Sequence, residues 1–184
     1  MLQYVMELDG RILLFIQEYL RLDCLNPFVL FITKLGDAGI IWIALTAFLL
    51  TQKKYQKAGV SMAIALILGF IMTNMLFKNM IMRPRPFDTI PELYALVPVG
   101  GWSFPSGHST SSIAAAVAMF WHVPRNMGIS ALVLGILICL SRLYVGVHYP
   151  TDVLFGALLG VLAAVCALWL TRKDKKDTKE IKIY

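Results

Sequence analysis

The chain has 184 residues, of which 58% are hydrophobic and only 15% charged, and its mean hydropathy is +0.70. Such a composition excludes an ordinary soluble domain and reads as an integral membrane protein, all-α, built as a polytopic transmembrane helical bundle. At roughly 20 residues per crossing, the length allows a single domain over 1–184 with about six spans, the first of them uncertain, and no separate soluble module.

In chain order, Met1-Leu2-Gln3-Tyr4 lacks the basic region and small-residue cleavage site of a signal peptide, so this end is expected to be retained. Over about 10–34, Gln17, Glu18, Arg21 and Asp23 interrupt an apolar run. Residues 1–34 are therefore expected to form an interfacial amphipathic helix or a broken first span. Ala38 to Thr51 is a short span flanked by Lys34 and Asp37 on one side and by Lys53, Lys54 and Lys57 on the other. Lys34 and Asp37 are expected to pair structurally.

The clearest spans are about 57–77, 107–121, 127–142 and 151–170, each nearly free of charge. Gly156 and Gly160, four apart in the last, suit close helix approach within one copy. Cys24, Cys139 and Cys166 are odd in number and widely spaced, and are expected to be small packing residues, not a disulfide framework or thiolate metal site. Residues 171–184 read as a basic cytoplasmic tail, solvated in the first instance and attracted to lipid headgroups in the second.

Charge sets the orientation. Lys53, Lys54 and Lys57, Arg125, and the tail from Arg172 to Lys182 all fall on one side of the ordered spans, which the positive-inside rule makes cytoplasmic. The net charge of +6 thus needs no nucleic acid to explain it. A smaller outward-facing set remains: Lys78 to Pro86, Pro105 to His108, and Ser141 to Asp152. Charges near spans are costly, roughly 2.5–3.5 kcal/mol each at mid-helix, and their retention points to function.

The outer set suits phosphoryl transfer, in which negative charge spreads over three oxygens and cations and N–H donors must surround them. Lys78, Arg85 and Arg142 supply the cations. Ser106, Gly107 and His108 precede a helical run and present an N-terminus to an anion. Pro150 should open the last helix, leaving His148 just before it and Asp152 just inside it. A neutral imidazole held by a carboxylate is a competent nucleophile, so His148 is the candidate nucleophile and Asp152 its orienting partner. His108 is the candidate general acid and then base.

Three motifs carry a resemblance: Lys78, six residues, Arg85-Pro86; Pro105-Ser106-Gly107-His108; and Ser141-Arg142, five residues, His148, three residues, Asp152. Together they resemble the type 2 phosphatidic acid phosphatase (PAP2) superfamily, which shares its core with vanadium haloperoxidases. The resemblance covers about 57–170 and implies the same residue roles, a lipid phosphate or diphosphate substrate, and no metal or other cofactor. Within that class undecaprenyl diphosphate is the first choice, ahead of phosphatidylglycerophosphate or phosphatidate, with lipid A phosphate third. The reading from another class is a lipid-phosphate transporter or flippase.

The remaining polar residues are given lesser roles. Arg83 stands outside the motifs and reads equally as a contact to a second phosphate or to headgroups. His122 is assigned to the interface at the opposite end. Asp88 and Glu92 lack a metal-ligand spacing, while Phe87, Tyr94, Trp102 and Phe104 suit a loop that covers a lipid tail.

Overall fold

The computed structural model describes residues 2–172, with side chains from Tyr4 onward. Its elements are α1 (Leu2–Phe15), continued by a π-helical turn (Ile16–Leu20), then α2 (Asn26–Leu35), a 3-10 turn (Asp37–Gly39) and α3 (Ile40–Thr51). Next come α4 (Gln56–Phe70), a π-helical stretch (Ile71–Phe77), α5 (Lys78–Ile81) and α6 (Pro86–Thr89). The chain closes with α7 (Gly107–Phe120), α8 (Arg125–Tyr144) and α9 (Pro150–Leu170). Proline stands at the first or second position of α2, α6 and α9, where its fixed φ starts a helix and its missing N–H costs nothing.

Helix α7 is the centre of the bundle and packs against α4, α8 and α9. Its 14 residues span about 21 Å, less than a bilayer core. Small side chains bring its neighbours close: Ala114, Ala115, Ala116 and Ala118 are fully buried. A Cβ on Gly160 of α9 would fall 2.7 Å from the Thr110 carbonyl oxygen and 2.9 Å from the Ala114 nitrogen. The expected close approach at Gly156 and Gly160 is thus made against α7, within one copy.

Outward faces carry exposed Phe48, Val133, Ile136, Leu154, Leu158 and Val165. In water such a belt would be an aggregation surface; against lipid it is the expected solvent-facing side. Three stretches are long and apolar enough to cross a membrane, Gln56–Thr89, Arg125–Tyr144 and Pro150–Leu170, and the bent pair Asn26–Leu35 with Asp37–Thr51 makes a fourth if it is one span.

The ambiguous N-terminal region resolves into two parts. Helix α1 lays Leu13 against Leu93 and Tyr149. Arg21, just after the π-helical turn, donates from Nε to the Tyr144 carbonyl at 2.6 Å and from Nη1 to the Tyr94 carbonyl at 2.8 Å. It fits there because Gly146, at φ +76°, has no Cβ, which would stand 2.3 Å from Arg21 Nη2. The second part, α2, does not end in a loop before the predicted span but runs into α3 through a 47° bend, where Ala38 and Gly39 take positive φ.

At the other end, the Ser61 hydroxyl hydrogen-bonds with His122 Nε2 at 3.0 Å and Thr171 Oγ1 at 2.8 Å. The start of α4, the 121–124 loop and the end of α9 therefore meet there. Of the cysteines only Cys139 is buried; Cys24 and Cys166 are exposed, Cys166 on the outer face of α9, and so are not packing residues. The tail lysines from Lys173 to Lys182 lie outside the described residues.

Candidate active site

Local sequence places each polar group. Ser106 caps α7, its Oγ accepting from the Ser109 amide at 3.4 Å and the Ser109 hydroxyl at 2.9 Å. Pro150 opens α9, and Asp152 at its third position turns back to accept from the Tyr149 amide at 2.9 Å. This reciprocal cap is the reason a carboxylate can be held at zero exposure beside His148. Lys78 follows the π-helical stretch, the kind of irregularity that re-aims side chains at functional sites.

These elements converge on one cavity of about 750 Å³, whose polar end is lined by Lys78, Arg85, Gly107, His108, Arg142 and His148. The other two predicted residues stand behind the wall. Asp152 lies under His148, with Oδ2 3.5 Å from Nδ1. That separation is long for a hydrogen bond, and Nδ1 has no closer partner. Ser106 is fully buried, and its amide donates to the Asp152 carbonyl at 3.1 Å. The N–H groups left without intrahelical acceptors at the start of α7 are therefore those of Gly107 and His108.

The cations are held by neutral oxygens. Arg85 donates to the carbonyls of Gly101 at 3.0 Å, Val147 at 2.8 Å and Gly100 at 2.9 Å. Three of its five N–H groups are thus spent on orientation and two are left for a ligand. Arg142, 2% exposed, donates to Thr33 Oγ1 at 2.5 Å, and its Nε is unpartnered. Among the described residues neither guanidinium has a carboxylate in contact, and the cavity end carries positive charge suited to an anion.

His148, in the loop between α8 and α9, is buried, which pushes its pKa down to about 4; Arg142 and Arg85 add to the fall and Asp152 opposes it. The imidazole is neutral at physiological pH, the form a nucleophile requires. His108 Nε2 meets Asp37 Oδ1 at 2.9 Å. Against an ionised carboxylate that nitrogen is the donor. Asp37 is thus the partner of His108 and not, as its neighbourhood in sequence suggested, of Lys34.

Sequence reasoning missed Ser103 and Asp9 and left Arg83 outside the site. Ser103 donates to Asp152 Oδ2. Arg83 does not line the cavity and donates to Asp152 Oδ1 at 2.7 Å. Asp9 of α1 bonds Arg83 in turn. No spacing links these residues to the motifs; Arg83 and Asp9 had a charge in apolar surroundings as their signal, and Ser103 had none. Among the described residues no group of three His, Cys, Asp or Glu side chains is arranged to hold a metal ion.

The family model of the PAP2 superfamily matches residues 54–176. An undecaprenyl-diphosphatase from Sulfolobus acidocaldarius is 34% identical over 144 residues, covering 78% of this chain and 69% of the relative. The crystal structure of Aquifex aeolicus LpxE superposes with a TM-score of 0.78 at 25% identity, covering 86% of this chain and 93% of that one. A transmembrane PAP2 type phosphatidylglycerolphosphate phosphatase from Bacillus subtilis gives 0.74 at 28% identity, over 97% and 90%.

Proposed function

The chain belongs to the PAP2 superfamily and is a phosphatase; from that premise we propose that it hydrolyses a lipid diphosphate, undecaprenyl diphosphate in the first instance, through a phosphohistidine on His148 at the outer face of the membrane. The observation that carries the lipid reading is the shape of the cavity. From its cationic end it continues along Ile43, Ala47 and Leu50 of α3 and Ala63, Leu66, Ile67 and Phe70 of α4. A phosphate head and an apolar tail fit this one continuous space. The names of the Sulfolobus relative and the Bacillus structural neighbour support a lipid phosphate, and the first supports the diphosphate.

In the proposed reaction, Lys78, Arg85, Arg142 and the amides of Gly107 and His108 hold the terminal phosphoryl group and offset its charge in the transition state. His148 Nε2 attacks phosphorus, forming a P–N bond as the bond to the bridging oxygen breaks. Asp152 keeps the proton on Nδ1 and balances the imidazolium character that develops. His108 gives a proton to the departing lipid monophosphate, then takes one from water as that water breaks the P–N bond and frees inorganic phosphate. Charge supports the outer face: Lys53, Lys54, Lys57, Arg125 and Arg172 lie at the end of the bundle opposite the cavity's cationic end.

The test is phosphate release by purified protein in detergent with EDTA, across undecaprenyl diphosphate, phosphatidylglycerophosphate, phosphatidate and a short water-soluble diphosphate, beside His148→Ala. Undecaprenyl diphosphate should be cleaved fastest, the short diphosphate should show a raised KM, and the variant should lose about 10³-fold or more. Turnover surviving in His148→Ala would rule out the phosphohistidine. No release from any lipid, with lipid binding intact, would favour a carrier.

A further inference from the structure

Arg83 is a cation at the edge of the site for which the proposed chemistry has no use, yet it is among the most heavily bonded side chains in the protein. Its Nη1 donates to Asp152 Oδ1 at 2.7 Å and Thr151 Oγ1 at 2.7 Å, and its Nη2 to Asp9 Oδ2 at 2.8 Å. The guanidinium lies 3.6 Å from the centre of the Tyr149 ring. Asp9, 2% exposed, also accepts from the Thr151 amide at 3.1 Å and the Thr151 hydroxyl at 2.5 Å. A row of charges, buried at both ends and half-buried at Arg83, thus runs from α1 through the 82–85 segment to α9: Asp9, Arg83, Asp152.

The two oxygens of Asp152 are divided by this row. Oδ2 takes Ser103, the Tyr149 amide and the approach of His148. Oδ1 has Arg83. With Oδ1 unpaired, a fully buried carboxylate would be free to rotate or to take a proton. With Arg83 but without Asp9, the pair would be neutral and a further cation would stand near His148, already faced by Arg85 and by Arg142 of α8. Asp9 returns the row to a net charge of −1.

Resting on the reading of His148 as nucleophile, we propose that Arg83 and Asp9 are positioning residues of the His148–Asp152 pair, and that α1 is thereby part of the catalytic apparatus. Arg83 fixes the carboxylate with Oδ2 toward the imidazole, and Asp9 preserves the charge that supports the imidazolium formed during phosphoryl transfer. Partners of this kind, one layer behind the reacting groups, are worth about 10–100-fold in activity where they orient a ligating histidine.

The experiment compares Arg83→Gln, Arg83→Lys and Asp9→Asn with the wild type and with His148→Ala, reading kcat, KM, the pH profile of kcat/KM and thermal unfolding. Arg83→Gln and Asp9→Asn should each lower kcat by about tenfold or more, with KM and inhibition by vanadate within about twofold. The acid limb should rise in pH in Arg83→Gln, because a positive charge that disfavours protonated His148 is gone. It should not rise in Asp9→Asn, where a negative charge is lost, and Arg83→Lys should keep the limb and recover part of kcat. A raised KM at unchanged kcat would overturn the proposal by putting Arg83 on the substrate. Equal loss of stability and activity in all three variants, with no movement of the limb, would overturn it in favour of a structural staple. Full activity in His148→Ala would instead remove the mechanism on which it rests.

Discussion

His148 shows how one residue's surroundings decide its chemistry. Burial first, then Arg142 and Arg85, overcome the attraction of Asp152 and bring its pKa from 6.5 to about 4. A histidine whose folded value is depressed contributes stability that is fully present above its unfolded value and is lost as pH falls toward the folded one. We therefore predict that the limb of kcat/KM set by His148, a group of the free enzyme, lies near pH 4. The unfolding midpoint should also drop more steeply between pH 6.5 and 4 in the wild type than in His148→Gln. A limb near 6.5 would mean a solvated imidazole. At this scale the motif residues were legible in sequence, since spacing and type identify them; Asp37, Ser103 and Asp9 were not, because their partners stand 71, 49 and 74 residues away.

Between elements, the controlling contact is α7 on α9. A Cβ at Gly160 would meet backbone atoms of Thr110 and Ala114 that cannot swing aside. Gly160→Ala should therefore destabilise by about 1–3 kcal/mol, the usual cost of overpacking, seen as a lower unfolding temperature in detergent. A neutral result would show that the two helices separate without penalty. The same mutation at Gly69 faces only a methyl group at 3.1 Å and should cost less. The small-residue pair in α9 was visible in sequence, but its partner face was not. Nor was the α2–α3 bend, whose positive φ at Ala38 falls on a residue that carries no such preference.

Across the whole molecule, the cationic end of the cavity and the basic loops occupy opposite ends of the bundle, and the proposed outward orientation rests on that separation. In a background with Cys24, Cys139 and Cys166 replaced, a cysteine at Glu92 should react with a membrane-impermeant maleimide added to intact cells. One at Gln52 should react only after the membrane is opened. The reverse pattern would place the site on the cytoplasmic face. Hydropathy reveals how much of the chain is apolar but not how crossings are shared out, because the short central α7 is surrounded by other helices and the first long segment is bent.

The sequence by itself determined the membrane class, the helical architecture, the family and eight residues around the cavity, because hydropathy and motif spacing are local properties that survive without a fold. Only the tertiary structure decided what stands behind those eight: Asp37 at His108, Ser103 and Arg83 on Asp152, Asp9 on Arg83, and an apolar groove between α3 and α4 running into the cationic end. Each depends on two distant segments being brought within about 3 Å, and a buried charge is stable only where such a partner arrives. No single segment of chain carries that information.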